Sequence, residues 1–107
     1  MASGILGQTN VTSQSTWISV YTVPAGKVAT VNILVLNNNT GTGKMSVALS
    51  TQATTPTAAE YIENNLNIGG SEVLERGGLV LEAGRKIFVN SVTASPNFSV
   101  TITGYEE

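Results

Sequence analysis

The chain has 107 residues, the size of one domain, a net charge of −2 and only 11% charged residues. It contains no cysteine and no histidine, which removes a disulfide framework, thiolate metal sites, a cysteine nucleophile and the usual histidine relay for serine. A chain of this length buries roughly two-thirds of its unfolded surface, so it needs no staple to fold.

Aspartate is absent too, and all seven acids are glutamates. Zinc, copper or non-haem iron would have to be held by glutamate alone, so no metal or other cofactor is expected. Paired glutamates can hydrolyse glycosides, but Glu60/Glu63 and Glu72/Glu75 read as solvated charges, and the chain is expected not to be an enzyme. The five bases, Lys27, Lys44, Arg76, Arg85 and Lys86, form no stripe that could track phosphates, so no nucleic acid is expected. Charge is uneven along the chain: residues 1–59 hold two lysines and no acid, and residues 60–107 hold seven glutamates against three bases. Solvated turns and strand ends account for this. The first residues lack a basic, apolar leader, and the longest apolar run, Ile33–Leu36, is far short of a membrane span. Synthesis in the cytoplasm without membrane attachment is expected.

Taken in chain order, period-two alternation punctuated by Gly, Pro and Asn predicts about eight strands. Residues 1–15 read as an N-terminal arm or edge strand, with the apolar pair Ile5-Leu6 set between Gly4 and Gly7. Either it joins the chain's own sheet, or it docks on a neighbouring chain by strand addition. Residues 16–107 read as a β-sandwich domain, with strands near 16–23, 27–37, 44–51, 59–68, 72–81 (broken at its glycines), 86–93 and 98–105. Pro24-Ala25-Gly26-Lys27 and Glu82-Ala83-Gly84-Arg85 are tight-turn sequences, and each precedes a run of β-branched residues. Between residues 58 and 66, helix and strand patterns compete. Thr57 and Glu60 fit a capping box, while Ile62, Asn64, Leu66 and Ile68 alternate, which favours a strand with one helical turn at its start. The fold class is therefore all-β, an antiparallel sandwich of jelly-roll or immunoglobulin-like type. The inward set is Ile18, Val20, Val31, Ile33, Val35, Val47, Leu49, Leu81, Ile87, Val89, Val100 and Ile102.

Two strands carry apolar residues on both faces. Trp17, Tyr21 and Val23 oppose Ile18 and Val20, and Leu34 and Leu36 oppose Val31, Ile33 and Val35. Only one face of each sheet meets the core in a two-layer sandwich, so the second face needs a cover. Either the N-terminal segment or a loop provides it, or another subunit does. Ile5, Leu6, Trp17, Tyr21, Leu34 and Leu36 are the candidate protein-interface residues. Trp17, Tyr21, Tyr61 and Tyr105 could alternatively form a sugar-stacking platform.

Tyr21-Thr22-Val23-Pro24-Ala25-Gly26-Lys27 with the strand after it, Leu81–Val89, and the ending Val100–Glu107 resemble small virion proteins of tailed bacteriophages, cyanophages among them. The resemblance covers about residues 16–107. It implies a β-sandwich on the outside of the particle, either a capsid decoration (cement) protein or a tail or fibre accessory piece. The partners it implies are the major capsid protein or other virion proteins, together with further copies of the chain, a trimer being one way to close. The implied location is the virion, with no catalytic residues. A carbohydrate- or receptor-binding module is the competing expectation.

Overall fold

The computed structural model describes residues 3–107, and they form an all-β sandwich. Eight strands follow one another: β1 (Ser3–Val11), β2 (Ile18–Thr22), β3 (Ala29–Asn37), β4 (Gly43–Ser50), β5 (Tyr61–Ile68), β6 (Val73–Leu81), β7 (Lys86–Asn90) and β8 (Phe98–Glu106). They build two antiparallel four-stranded sheets ordered β1-β8-β3-β6 and β2-β7-β4-β5. The expected strands are all present, with ends displaced by up to three residues. The segment read as an arm or edge strand is the edge strand β1 of the chain's own sheet, paired along its length with β8. Its first two positions, Met1 and Ala2, lie outside the described residues.

The pairs β1–β8, β2–β7, β3–β6 and β4–β5 are those of one long antiparallel ribbon folded at the β4–β5 connection. Rolling that ribbon adds the pairs β3–β8 and β4–β7 and divides the strands between two sheets. This double Greek key is the jelly-roll order, and it decides between the two sandwich types expected. The two similar turn sequences mark where the ribbon passes from one sheet to the other. In both, the fourth residue's N–H bonds the first residue's carbonyl, Lys27 to Pro24 and Arg85 to Glu82, each at 3.2 Å. Gly26 (φ +75°) and Gly84 (φ +84°) take the third position with positive φ, the geometry of a type II turn. The two turns lie side by side, since the Val23 N–H donates to the Arg85 carbonyl and the Gly84 N–H to the Val23 carbonyl.

The connection before β5 behaves as the sequence suggests. Ala58–Glu60 make one turn of 3-10 helix and Tyr61 begins the strand. At the opposite end of the sandwich, Asn37 is fully buried and ties the β3–β4 loop to the end of β5. Its amide donates to the Gly41 and Ile68 carbonyls, both at 2.9 Å, and its Oδ1 accepts the Asn39 N–H at 3.0 Å. Satisfying every polar atom of that side chain makes its burial tolerable.

Between the sheets lies the core. Val31, Ile33 and Val35 from β3, Met45 and Val47 from β4, Ile87 and Val89 from β7, and Phe98, Val100 and Ile102 from β8 are all essentially inaccessible. Each such side chain contributes about 1.5–3 kcal/mol by leaving water. Every residue of the expected inward set is buried or packs against this cluster. Ile18, Val20 and Leu49 are its half-buried members. Regular alternation is interrupted by bulges in the pairs β1–β8, β2–β7 and β3–β6. An extra residue in one strand reverses which later side chains face inward. Among the described residues no helix is long and apolar enough to cross a membrane.

Candidate interaction face

The outer face of the β1-β8-β3-β6 sheet holds the apolar residues that the core leaves out. Alternation on β3 turns Val28, Thr30, Asn32, Leu34 and Leu36 outward, and their partners on β8 and β6 turn the same way. Thr30 is flanked by Tyr105 and Val80, Leu34 by Thr101 and Glu75, and Leu36 by Ser99 and Val73. On β1, Ile5 lies beside Thr103 and Gln8 beside Thr101. Six large hydrophobic residues of the described chain are exposed, and five of them sit here: Ile5 (62%), Val28 (47%), Val73 (57%), Val80 (68%) and Tyr105 (40%). The face is nearly free of charge. Glu75 is its one charged side chain within the sheet, with Glu107 at the rim.

Val73 and Val80 are seven apart, an odd spacing that plain alternation would send to opposite faces. A bulge brings them together. Val31 pairs with Leu79 while Ile33 pairs with Arg76, so Gly77 and Gly78 occupy the space of one residue. Gly78 takes φ +71°, where a side chain is strained, and its N–H donates to Asn32 Oδ1 at 3.1 Å.

Three of the six candidate interface residues, Ile5, Leu34 and Leu36, meet on this face. Leu6 does not: the β1 bulge between Ile5 and Gly7 turns it inward, against the core. Tyr21 is also inside, contrary to its expected place opposite Ile18. Ser19 pairs with Phe88 and Tyr21 with Ile87, so Val20 is the extra residue and both Ile18 and Tyr21 face the core. The Tyr21 hydroxyl donates to Glu106 Oε2 at 2.5 Å. Burial, and then that carboxylate, push the phenol pKa well above its ordinary value. Val28, Val73, Val80 and Tyr105 belong to the face and escaped the sequence reading. Alternation gives Tyr105 through Thr101 and Thr103, and Val28 through Thr30, whereas the valines of β6 depend on the bulge.

Trp17 lies on the other sheet's outer side. Tyr61, Ala48, Phe88 and Ser19 run across that sheet in register, and, while Ser19 stays exposed, Trp17 packs against Tyr61 and Phe88. Its ring centroid is 5.2 Å from Tyr61, tilted by 52°, and 6.4 Å from Phe88, edge-on. Phe88 is thereby buried although it points away from the core. From Ser3 to Val11 the N-terminal segment covers neither outer face, because β1 extends its sheet sideways. Of the tyrosines considered for sugar stacking, Tyr61 joins Trp17, Tyr21 is buried and Tyr105 is on the opposite sheet.

Near the paired type II turns, Leu49, Tyr61, Leu81, Glu60, Glu82 and Arg85 help to line a groove of about 320 Å³. Glu60 and Glu63, expected as solvated charges, are anchored instead, each with a side chain only 15% exposed. Glu63 pairs with Arg76 across the gap between β5 and β6. Glu60 accepts from Ser50 Oγ at 2.6 Å, the Thr57 N–H at 2.8 Å and the Thr51 N–H at 3.3 Å. These bonds, that of Ser50 foremost, hold its pKa down to about 2. Arg85 grips both oxygens of Glu82 and lowers that carboxyl to about 2, while the pair raises the arginine's own pKa. Neither groove carboxyl keeps a proton near neutral pH, so neither can act there as a general acid. Among the described residues no cluster of three or more Cys, His, Asp or Glu side chains could hold a metal ion.

Sequence comparison with family models and with curated proteins finds no match.

Proposed function

From a β-sandwich with no close relative in these comparisons, we propose that the chain is a non-enzymatic structural protein of a tailed-phage particle. In this reading it is a capsid decoration or cement protein, bound on the outside of the head and stabilising it. The observation that carries the reading is the nearly uncharged outer face of the β1-β8-β3-β6 sheet. Monomeric proteins rarely leave such a surface open, which supports a contact with another protein there. The resemblance of the turn and strand sequences to small virion proteins supports the same reading. Further support comes from the missing His, Cys and Asp and from the two groove carboxyls, which hold no proton to donate near neutral pH. The protein is made in the host cytoplasm and ends in the virion, against the major capsid protein or other virion proteins.

A tail or fibre accessory role is the same reading at another place on the particle, and one experiment separates them. Particles with and without the protein are purified and compared by mass spectrometry and electron microscopy. Decoration predicts many copies per particle, and loss of surface knobs and of head stability in their absence. Loss of a tail structure would move the protein to the tail. Complete absence from purified particles would overturn the proposal. The aromatic pair does not favour a glycan platform, because Trp17 and Tyr61 are tilted by 52° and present no common flat face to a sugar ring.

A further inference from the structure

We infer that the outer face of the β1-β8-β3-β6 sheet is a self-interface, covered by the same face of a second copy related by a twofold axis. The inference deepens the assembly reading above and rests on it. All four strands are nine residues long. At about 4.8 Å between strands and 3.3 Å per residue, the face spans roughly 19 by 30 Å. Pairing two such faces removes about 1,100 Å² of projected area, just past the roughly 1,000 Å² that a specific protein contact needs.

Charge points to the same occupant. With Glu75 as its only in-sheet charge, the face has nothing to select a partner of opposite sign, and nothing to repel a copy of itself. Gln8, Thr101, Leu34 and Glu75 form one row across the sheet, with Gln8 on the β1 edge and Glu75 on the β6 edge. A twofold axis parallel to the strands, between β8 and β3, lays β1 of one copy over β6 of the other. Each Glu75 carboxylate then faces the other copy's Gln8 amide, and the two Glu75 charges stay on opposite edges. Ile5, Leu34, Leu36, Val73, Val80 and Tyr105 are enclosed between the copies.

Two measurements test this. In sedimentation equilibrium the wild-type protein should form a dimer or an assembly built from dimers. Val80→Lys should weaken self-association more than about tenfold by enclosing an ammonium opposite the second copy's Ser3, which offers it no counter-charge. Ser19→Lys, a control on the exposed side of the other sheet, should leave it unchanged, and circular dichroism melts confirm that both variants fold. Because the chain has no cysteine, a Gln8→Cys/Glu75→Cys variant carries the only thiols. Within one copy these lie three strand spacings apart, about 14 Å, too far for a disulfide. Two facing sheets pack about 10 Å apart, also beyond a direct disulfide, so a short bismaleimide that spans about 10 Å but not 14 Å should link two chains of this variant, and should not link Glu75→Cys alone. A wild type that stays monomeric at its highest soluble concentration would overturn the inference, as would a dimer indifferent to Val80→Lys. Failure of the cysteine pair to link a dimer that Val80→Lys does disrupt would overturn the stated axis. A monomer that still copurifies with particles would leave the virion reading standing, whereas a dimer absent from particles would remove that reading alone.

Discussion

Replacing Gly78 by alanine isolates the bulge that gathers Val73 and Val80 on one face. A Cβ at Gly78 meets nothing within 4 Å, so the substitution introduces backbone strain without a steric clash. Holding a residue with a Cβ in the left-handed region at φ +71° costs about 1–2 kcal/mol. Alanine also restricts the unfolded chain, which returns about 0.4–1 kcal/mol. The difference is a net loss of about 1 kcal/mol. Asparagine tolerates the same φ, so Gly78→Asn should lose less than Gly78→Ala. Urea denaturation followed through the single tryptophan, Trp17, measures both. The midpoint should fall while the slope stays constant, since the surface exposed on unfolding does not change. Removing the acceptor with Asn32→Ala should cost about 0.5–1.5 kcal/mol for the lost bond to the Gly78 N–H. A Gly78→Ala variant as stable as wild type, with the same slope, would refute the reasoning. The bulge would then relax to ordinary φ at no cost, and nothing would hold the two valines on one face.

Phe98 is fully buried and its ring presses against Gly43, so Phe98→Ala should lose about 3–5 kcal/mol; a calorimetric loss below about 1 kcal/mol would contradict the described core. The folded pKa of Glu60, about 2, lies below the roughly 4.3 of a free glutamate, so its contribution is complete above about pH 5 and is lost as pH falls toward 2. Glu60→Gln should be less stable at neutral pH and show a flatter decline in acid, and parallel acid limbs for the two proteins would count against this. Tyr21 has a raised pKa, so its stabilisation is intact below about pH 10, where a free phenol ionises, and declines as pH rises beyond it. Tyr21→Phe should remove that alkaline decline, as read from urea midpoints between neutral and strongly basic pH.

How much of this was legible depends on whether the signal was local. Alternation located the core on β3, β4, β7 and β8, because those segments pair over long stretches and keep one side inward. It failed at the bulges. Ile18 and Tyr21 are three apart yet share the core, and Val73 and Val80 are seven apart yet share the surface. The Gly77-Gly78 pair announced an interruption in β6 but not the change of parity that follows it. Half of the candidate interface residues accordingly met on one face, and two of the others, Leu6 and Tyr21, went inside through bulges. The capping partnership of Thr57 and Glu60 was visible, but Ser50 and Arg85, which complete the surroundings of that carboxylate, arrive from other strands. The repeated turn sequence held a clue to topology, since its two copies occupy corresponding places in the rolled ribbon.

The ribbon topology also sets a timetable for the nascent chain. Ser3 pairs with Tyr105, and the whole of β1 has only β8 as its ladder partner. At about 5–20 residues per second, the first strand waits roughly 5–20 s for the last to be made. During that wait β1 carries no charge to discourage pairing with a neighbouring chain. The pair β4–β5 is the closest in sequence, and the pairs β3–β6, β2–β7 and β1–β8 join strands progressively further apart. Contacts so distant in sequence make folding slow. The strand that contributes Ile5 to the outer face therefore gains its ladder partner only once β8 has been made.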